Sequence, residues 1–185
     1  MRRRHGLVPI ALLAFSLTGC GKKAEPVLQP ATDTRTGPAP TRANPPVVST
    51  DDPAGAAAAV TRALVTELGR VIHFDLDQDV VKPEDRPILD RKAAILMANP
   101  ALRIRVSGHA DERGSDEYNL VLGNKRALAA KNYLVAKGIA AGRIDVTSYG
   151  EERPVATDSS ETSWAQNRRD EFEIIGGGDR LVQPR

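Results

Sequence analysis

Residues 106–126, VSGHADERGSDEYNLVLGNKR, form the stretch that most constrains the fold of this chain. Residues 102–106 alternate between apolar and basic side chains, as the two sides of a half-exposed strand require. A polar loop bracketed by glycines follows at 108–114, and a helical pattern then runs from residue 115 or 116 to Lys137. The sequence therefore predicts a strand, a loop and a helix in direct succession, with charges of both signs gathered at their junction.

The predicted helix has a single packed stripe, because small and apolar residues recur along it at spacings of three and four: Leu120, Gly123, Ala127, Ala130 and Leu134. Gly138 follows in the position that commonly ends a helix. The sequence predicts further elements on either side: a lead-in helix at 54–68, helices at 83–98 and 160–166, and strands at 71–74, 143–149 and 169–175. This order favours an α/β fold, a two-layer sandwich with the helices on one face of a small mixed four-stranded sheet.

The first twenty residues have the layout of an export signal. Three arginines precede an apolar run at 7–17, which is too short to span a bilayer as a permanent helix. The run ends in Leu17-Thr18-Gly19-Cys20, which resembles the lipobox of bacterial lipoproteins. That resemblance implies cleavage before Cys20, lipidation of Cys20 and sorting to the outer membrane. An ordinary signal peptide with a chance cysteine is the alternative.

The composition changes sharply after the cysteine, because seven prolines and no aromatic residue fall between residues 21 and 53. Such a segment has too little apolar surface to offset the entropy cost of ordering, so we expect a disordered tether. About 45 residues of flexible coil typically span roughly 35 to 40 Å. The predicted organisation is a signal peptide at 1–19, a lipidated cysteine and tether at 20–65, a folded domain at 66–175 and a flexible tail at 176–185.

Composition and motifs exclude several classes of function. A net charge of +2, with both signs well mixed, does not indicate a basic surface for binding nucleic acid. The single cysteine forms no internal disulfide and builds no multi-cysteine metal site. The three histidines are scattered, and none of the common hydrolase or zinc motifs is present in the sequence. We therefore expect a binding protein that is not an enzyme and needs no cofactor.

A calcium site is a further alternative, because Asp75, Asp77 and Asp79 have the spacing of the first three ligands of an EF-hand loop. The sixth position of that loop requires glycine and the twelfth requires glutamate. The chain has Val80 and Arg86 there. The sequence therefore predicts no metal site.

Several motifs in a fixed order resemble the OmpA-like peptidoglycan-binding family: Phe74-Asp75, GHADERG at 108–114, Tyr118-Asn119, Leu122-Gly123, Lys125-Arg126-Ala127, YGEERP at 149–154 and Asn167-Arg168-Arg169. The resemblance implies noncovalent binding of peptidoglycan through the meso-diaminopimelate of its stem peptides. Together with the lipobox it implies an outer-membrane lipoprotein that acts with a TolB-type periplasmic protein and couples membrane to wall during cell division. A lipoprotein of the same family that tethers membrane to wall without Tol proteins is the alternative.

Two residues of the family site have side chains suited to the end of diaminopimelate, which carries one ammonium and one carboxylate. Asp111 is expected to accept the ammonium, and Arg126 to hold the carboxylate with its planar fork. An unbroken helix would place Arg126 about 15 Å from the helix start, at 1.5 Å per residue. Either the loop folds back beside the helix, or the helix is interrupted near Gly123.

The resemblance places six further residues around the same pocket: Phe74, Asp75, His109, Asn119, Leu122 and Arg168. We expect His109 to orient the loop and Arg168 to brace Asp111 from the last strand. Glu112 and Arg113 are expected at the surface or against a partner, outside the pocket. Asp170, in the predicted last strand, stands where relatives often have an apolar residue.

Overall fold

The computed structural model describes residues 52–185, and these form four helices and one four-stranded sheet. In chain order the elements are α1 (Pro53–Leu68), β1 (Ile72–His73), α2 (Arg86–Ala98), β2 (Arg103–His109), α3 (Asp116–Ala136), β3 (Ile144–Gly150), α4 (Glu161–Asn167) and β4 (Arg169–Gly176). Single 3-10 turns at Pro83–Asp85 and Ala141–Arg143 precede α2 and β3. The predicted signal peptide, Cys20 and the tether up to residue 51 lie outside the described residues.

The sheet is mixed, with the strand order β1-β4-β2-β3. Strand β2 pairs in parallel with β3 on one side and antiparallel with β4 on the other, and β1 pairs antiparallel with β4. Strand β2, helix α3 and strand β3 thus form one parallel crossover unit. The predicted α/β sandwich on a mixed four-stranded sheet is confirmed.

The core lies between the sheet and the helices. Ile104 and Val106 of β2 and Phe172 of β4 point toward the helices and are buried there with Ala127 and Leu134 of α3. Intervening strand residues form ion pairs on the other face, where Arg103 lies 3.6 Å from Asp145 and Arg105 lies 3.6 Å from Glu173. One face of the sheet is therefore apolar and packed, and the other is charged.

Two facing glycines fix the position of α3 against the sheet. A side-chain carbon added to Gly108 of β2 would lie 1.9 Å from the carbonyl oxygen of Gly123, so only glycine allows this approach. Helix α3 continues unbroken through Gly123, and the loop at 110–115 folds back beside its first turns. Of the two predicted alternatives, the folded-back loop is the one found.

The predicted packed stripe of α3 is wrong in its first turn. Leu120 is 48% exposed, and Asn119 is buried in its place. The stripe of apolar packing begins only at Gly123, because the first turns of α3 face the loop and a cavity instead of the sheet.

Both ends of the predicted folded domain differ from the structure. Leu64 and Leu68 of α1 are buried in the core, so the folded part includes residues 53–65, which the sequence assigned to the tether. The predicted flexible tail also packs: Leu181 is buried, and its N–H donates to Thr61 Oγ1 at 3.1 Å. Val182 exchanges hydrogen bonds of 2.8 and 3.0 Å with the Asn99 side chain. The lead-in helix predicted at 54–68 is thus present as α1, but it packs on the domain, and so does the predicted tail.

Within residues 52–185, no helix has both the length and the apolar character needed to cross a bilayer. The longest, α3, begins with Asp116 and Glu117 and buries Arg126.

Candidate functional site

A cavity of about 390 Å³ opens where the loops after β1 and β2 meet the first turns of α3. Residues from all three segments and one from the end of α4 line it: Leu76, Asp77, Ala110, Asp111, Arg113, Gly114, Tyr118, Asn119, Leu122, Arg126 and Arg168. Ser115 begins α3 by accepting a hydrogen bond from the N–H of Tyr118 at 3.3 Å. This cap fixes the start of the helix directly beside the loop that carries Asp111.

Asp111 is the acidic group of the cavity, and it is almost fully buried. Its Oδ1 accepts from the backbone N–H of Arg113 at 3.1 Å and from Arg113 Nε at 3.0 Å. Its Oδ2 accepts from Arg113 Nη2 at 2.7 Å and from Arg168 Nη1 at 3.0 Å. Burial alone raises the pKa of Asp111, but these donors outweigh it and lower the pKa to about 2. Asp111 is therefore a carboxylate at any physiological pH.

Arg126 is the basic group at the base of the cavity, and its side chain is fully buried. Its guanidinium donates to three backbone carbonyls: Nε to Gln78 at 2.8 Å, Nη1 to His109 at 2.8 Å and Nη2 to Asp75 at 3.1 Å. Burial lowers the pKa of Arg126 to about 10, so the group stays charged at neutral pH. A guanidinium has five N–H donors, and one on each terminal nitrogen remains beyond these three bonds.

Arg168 contacts Asp111 from the end of α4 and not from the last strand, where the sequence analysis had placed it. Besides Asp111, its guanidinium donates to the carbonyl of Phe74 at 3.1 Å and to Glu161 Oε1 at 2.7 Å. Only 6% of its side chain is exposed. These contacts hold the Arg168 guanidinium against the Asp111 carboxylate.

Asn119 joins the loop to the helix. Its side-chain amide donates to the carbonyls of Asp111 and Arg113 at 3.1 and 3.2 Å and also to Glu151. Gly114, at φ 119°, turns the chain between that loop and α3 in a conformation that side chains rarely adopt. The carboxylate at 111 is thus presented by a loop that α3 itself secures.

The loop after β1 forms the other wall. The two Arg126 bonds to Asp75 and Gln78 hold its backbone, and the Tyr118 hydroxyl donates to Asp77 across the opening. Leu76 and Tyr118 are about half exposed at this rim. The wall is therefore attached to α3 at two points, one buried and one at the surface.

Five of the eight predicted binding residues line the cavity: Asp111, Asn119, Leu122, Arg126 and Arg168. The other three do not. Phe74 is buried in the core, with the Arg126 guanidinium 5.2 Å from its ring centre. Asp75 is exposed and directs its carboxylate toward Lys82 at 3.6 Å. Both line a second cavity, of about 430 Å³, which shares Arg168 with the first.

His109 also points away from the cavity. Its ring lies 5.5 Å from the ring of Tyr149, on the charged face of the sheet, and Nε2 is 3.8 Å from Glu171. Burial and the neighbouring Arg169 lower the pKa of His109, so the ring is neutral at pH 7. Phe74, Asp75 and His109 contribute backbone carbonyls to Arg168 or Arg126 instead of side chains to the cavity.

Arg113 is the residue that sequence reasoning misplaced. It was expected at the surface or against a partner, yet it lines the cavity and makes three of the four hydrogen bonds to Asp111. Its backbone N–H closes a short turn onto the Asp111 side chain. That Asp-x-Arg turn was the available signal, since it returns the arginine to the carboxylate two residues earlier.

The arrangement suits a ligand that carries charges of both signs. Asp111 and Arg126 line one cavity, and the described hydrogen bonds of Arg126 all go to backbone carbonyls, so the two are not paired with each other. Among residues 52–185, no cluster of three or more His, Cys, Asp or Glu side chains is placed to hold a metal ion.

Comparison with known proteins places this fold and cavity in context. The OmpA family matches residues 73–168, which include α2, β2, α3, β3, α4 and every residue that lines the cavity, and which end just before β4. Among curated relatives, the peptidoglycan-associated lipoprotein of Brucella melitensis is 41% identical over 111 residues, 60% of this chain and 66% of that protein. The peptidoglycan-associated lipoprotein of Pseudomonas putida is 46% identical over 114 residues, 62% of this chain and 65% of that protein. The match thus covers slightly less than two thirds of either relative.

A solved structure agrees with the same assignment. The crystal structure of the peptidoglycan-associated lipoprotein from Burkholderia pseudomallei superposes with a TM-score of 0.56 at 39% identity, covering 57% of this chain and 89% of that one. The C-terminal domain of Helicobacter pylori MotB superposes with a TM-score of 0.52 at 21% identity, which indicates a common fold only.

Proposed function

This chain belongs to the OmpA family, and from that premise we propose that its folded domain binds peptidoglycan noncovalently, holding the end of a diaminopimelate side chain in the cavity around Asp111 and Arg126. The relatives named above carry this association in their names, as peptidoglycan-associated lipoproteins. The observation that carries the proposal is the pair of opposite buried charges that line one cavity without pairing with each other.

The chemistry of the ligand matches these two groups. The free end of a diaminopimelate side chain has an ammonium and a carboxylate on the same carbon. Asp111, a carboxylate at neutral pH, accepts the ammonium, and the remaining N–H groups of Arg126 donate to the ligand carboxylate. A low-dielectric cavity strengthens both contacts relative to the same contacts in water.

The proposed cellular role follows from the two ends of the chain. Cys20, lipidated, anchors the protein in the outer membrane, while the domain holds the wall from the periplasmic side. We propose that a TolB-type periplasmic protein is a partner and that the linkage supports invagination of the outer membrane during division. The alternative is an OmpA-family lipoprotein that tethers membrane to wall without Tol proteins, and affinity purification that recovers no TolB-type protein would favour it.

Cosedimentation with purified sacculi tests the binding site. We expect Asp111→Asn to lose sedimentation, because removing one member of a buried charged contact costs roughly 2 to 5 kcal/mol of binding. Asp145→Asn is the matched control, since Asp145 is 44% exposed on the charged face of the sheet and pairs only loosely with Arg103. Asp111→Asn that still sediments like the control, with an unchanged melting temperature, would refute the assignment of the cavity.

A further inference from the structure

The acidic group of the proposed site is bound by two arginines of the protein itself. Arg113 approaches Asp111 with Nε on one carboxylate oxygen at 3.0 Å and Nη2 on the other at 2.7 Å. This two-point contact is the geometry in which an arginine binds a carboxylate most strongly. The Arg113 guanidinium therefore takes the place that the proposed function assigns to the ammonium of the ligand.

Of the two arginines on Asp111, Arg113 is the one free to move. Arg168 is 6% exposed and also bonded to the Phe74 carbonyl and to Glu161. Arg113 is 32% exposed, and besides Asp111 its side chain has only a longer contact of 3.4 Å to Glu161 and a stacking contact with Trp164. Releasing Arg113 breaks two side-chain bonds at the surface, whereas releasing Arg168 would disturb the core.

Besides Asp111, two side chains beside the cavity already contact the Arg113 guanidinium. Its guanidinium carbon lies 4.1 Å from the centre of the Trp164 ring, a cation–π contact. Trp164 is held independently, because its Nε1 donates to Glu112 Oε1 at 3.0 Å and Glu112 also accepts from Ser159 at 2.7 Å. Glu161, 64% exposed, offers a second carboxylate in reach. The arginine can leave Asp111 and still keep a charged partner.

We propose that Arg113 is an internal competitor that sets an affinity threshold for the cavity: ligand binding displaces its guanidinium from Asp111 toward Glu161. This inference rests on the proposed function. Its consequence is a displacement cost, equal for every ligand that takes the place of Arg113, which a two-point ligand offsets and a one-point ligand does not. A simple amine must break the Arg113–Asp111 contact and gains only Asp111 in return. A group with both ammonium and carboxylate gains Asp111 and Arg126 together, which offsets the loss.

Calorimetric titration of the full chain in detergent, with meso-diaminopimelate and with cadaverine as an amine lacking carboxylates, tests the proposal. We expect Arg113→Gln to bind diaminopimelate about tenfold more tightly than the wild type, since one charge-assisted contact no longer has to be broken. Cadaverine binding should increase by a similar factor, because the amine has to displace the same contact. Arg153→Gln is the matched control, because Arg153 stacks on Tyr149 at 3.7 Å outside the cavity.

Fluorescence gives a second readout, because Trp164 is the only tryptophan of the chain. Diaminopimelate should change the Trp164 emission of the wild type and of Arg153→Gln as Arg113 leaves the ring centre. Arg113→Gln should bind the ligand with no such change. Binding by Arg113→Gln alone, with none by the wild type, would equally support the competitor.

Two results overturn the inference. If Arg113→Gln binds diaminopimelate more weakly than the wild type, or only equally well, Arg113 does not compete with the ligand. If neither the wild type nor Arg113→Gln binds it, the proposed function fails and the inference with it. The first result leaves wall binding intact, so the two failures are distinguishable.

Discussion

Arg126 has two roles in the cavity: it holds the surrounding backbone in place, and it supplies the proposed ligand contact. Its three bonds to backbone carbonyls join the loop after β1 to the end of β2, so the side chain holds together the two walls of the cavity. Arg126→Ala would leave these carbonyls without donors, and a loss of wall binding would then report partial unfolding. Arg126→Lys keeps the charge and removes the fork, and is the better probe of ligand contact.

Asp170 is a buried acid outside the proposed binding chemistry. It is fully buried on β4, on the side that faces the helices, and within the described part of the chain neither carboxylate oxygen has a hydrogen-bond partner. Burial raises the pKa of Asp170 well above its usual value, and the nearby charge of Arg126 opposes this only partly. The folded protein therefore holds the Asp170 proton to a higher pH than the unfolded chain does.

We predict that Asp170→Val increases the free energy of unfolding at pH 7 by about 2 kcal/mol, because valine suits a buried strand and needs no proton. The contribution of Asp170 is most favourable below the unfolded pKa, near 4, and declines as pH rises toward the folded pKa. The advantage of the valine variant should therefore grow between pH 4 and pH 7 in urea denaturation. A valine variant less stable than the wild type at pH 7 would mean that Asp170 balances the charge of Arg126.

Some cavity residues could be predicted from the sequence and others could not, for physical reasons. Asp111 and Arg126 were identified because a resemblance carried over their roles, while spacing alone left Arg126 about 15 Å from the start of its helix. Arg113 was misplaced because its position depends on one turn and on a competition between solvent and a neighbouring carboxylate. Phe74 and Asp75 were placed near the right point of the chain, but which face each side chain takes is decided by burial against the helices.

At the scale of elements, α1 is joined to the domain by a buried lysine. Lys92 of α2 donates through Nζ to the carbonyls of Leu68 and, at 3.3 Å, of Glu67, the last residues of α1. The same ammonium lies 4.0 Å from the ring centre of Phe172. Burial, helped by the nearby charge of Arg70, lowers the pKa of Lys92 from 10.5 to about 7. A cation at the carboxyl end of a helix is favourable, but its desolvation is costly.

We predict a difference in pH dependence between the wild type and Lys92→Met. Between the folded pKa of about 7 and the ordinary value of 10.5, the unfolded chain carries a proton on Lys92 that the folded protein lacks. The free energy of unfolding of the wild type should therefore rise across this window, by at most about 1.4 kcal/mol per pH unit from this residue. Lys92→Met lacks that contribution.

Urea denaturation of both proteins at several pH values in that window measures the difference, and contributions from all other groups cancel. Parallel curves for the two proteins would contradict a lowered pKa for Lys92. Lys131→Met is a suitable control, because Lys131 of α3 is only partly buried and follows the ordinary surface pattern.

Most elements were predictable, and the exceptions share a cause. The central strand, its following helix and Gly138 follow from periodicity and turn chemistry, which are local properties. Strand β1 is only two residues long and is defined by its pairing with β4, a contact distant in sequence. The packing of α1 and of residues 181 and 182 likewise depends on partners elsewhere in the chain, so composition predicted the helix at 54–68 but not its contacts, and suggested a loose tail.

At the scale of the whole molecule, the proposed anchor makes its own prediction. Cys20 is the only cysteine, so Cys20→Ser removes every site of thioether lipidation. We expect this variant to fractionate with soluble periplasmic proteins, because a bilayer anchor of this kind depends on its acyl chains. The domain should still sediment with purified sacculi. A Cys20→Ser variant that remained in outer-membrane fractions after peptidoglycan had been removed would contradict the proposed lipid anchor.

Helix α1 packs on the domain through its second half only, and this has a mechanical consequence if the chain is pulled from its amino-terminal side. Only its second half is fastened, through Leu64, Leu68 and the Thr61–Leu181 bond, while residues 53–56 and 58–59 are exposed. Tension pulled between a membrane and a wall would reach the exposed turns first. Because a helix rises about 1.5 Å per residue and extended chain about 3.4 Å, unwinding those turns lengthens the linker by about 2 Å per residue. The first part of α1 would thus unwind under tension before the cavity is deformed.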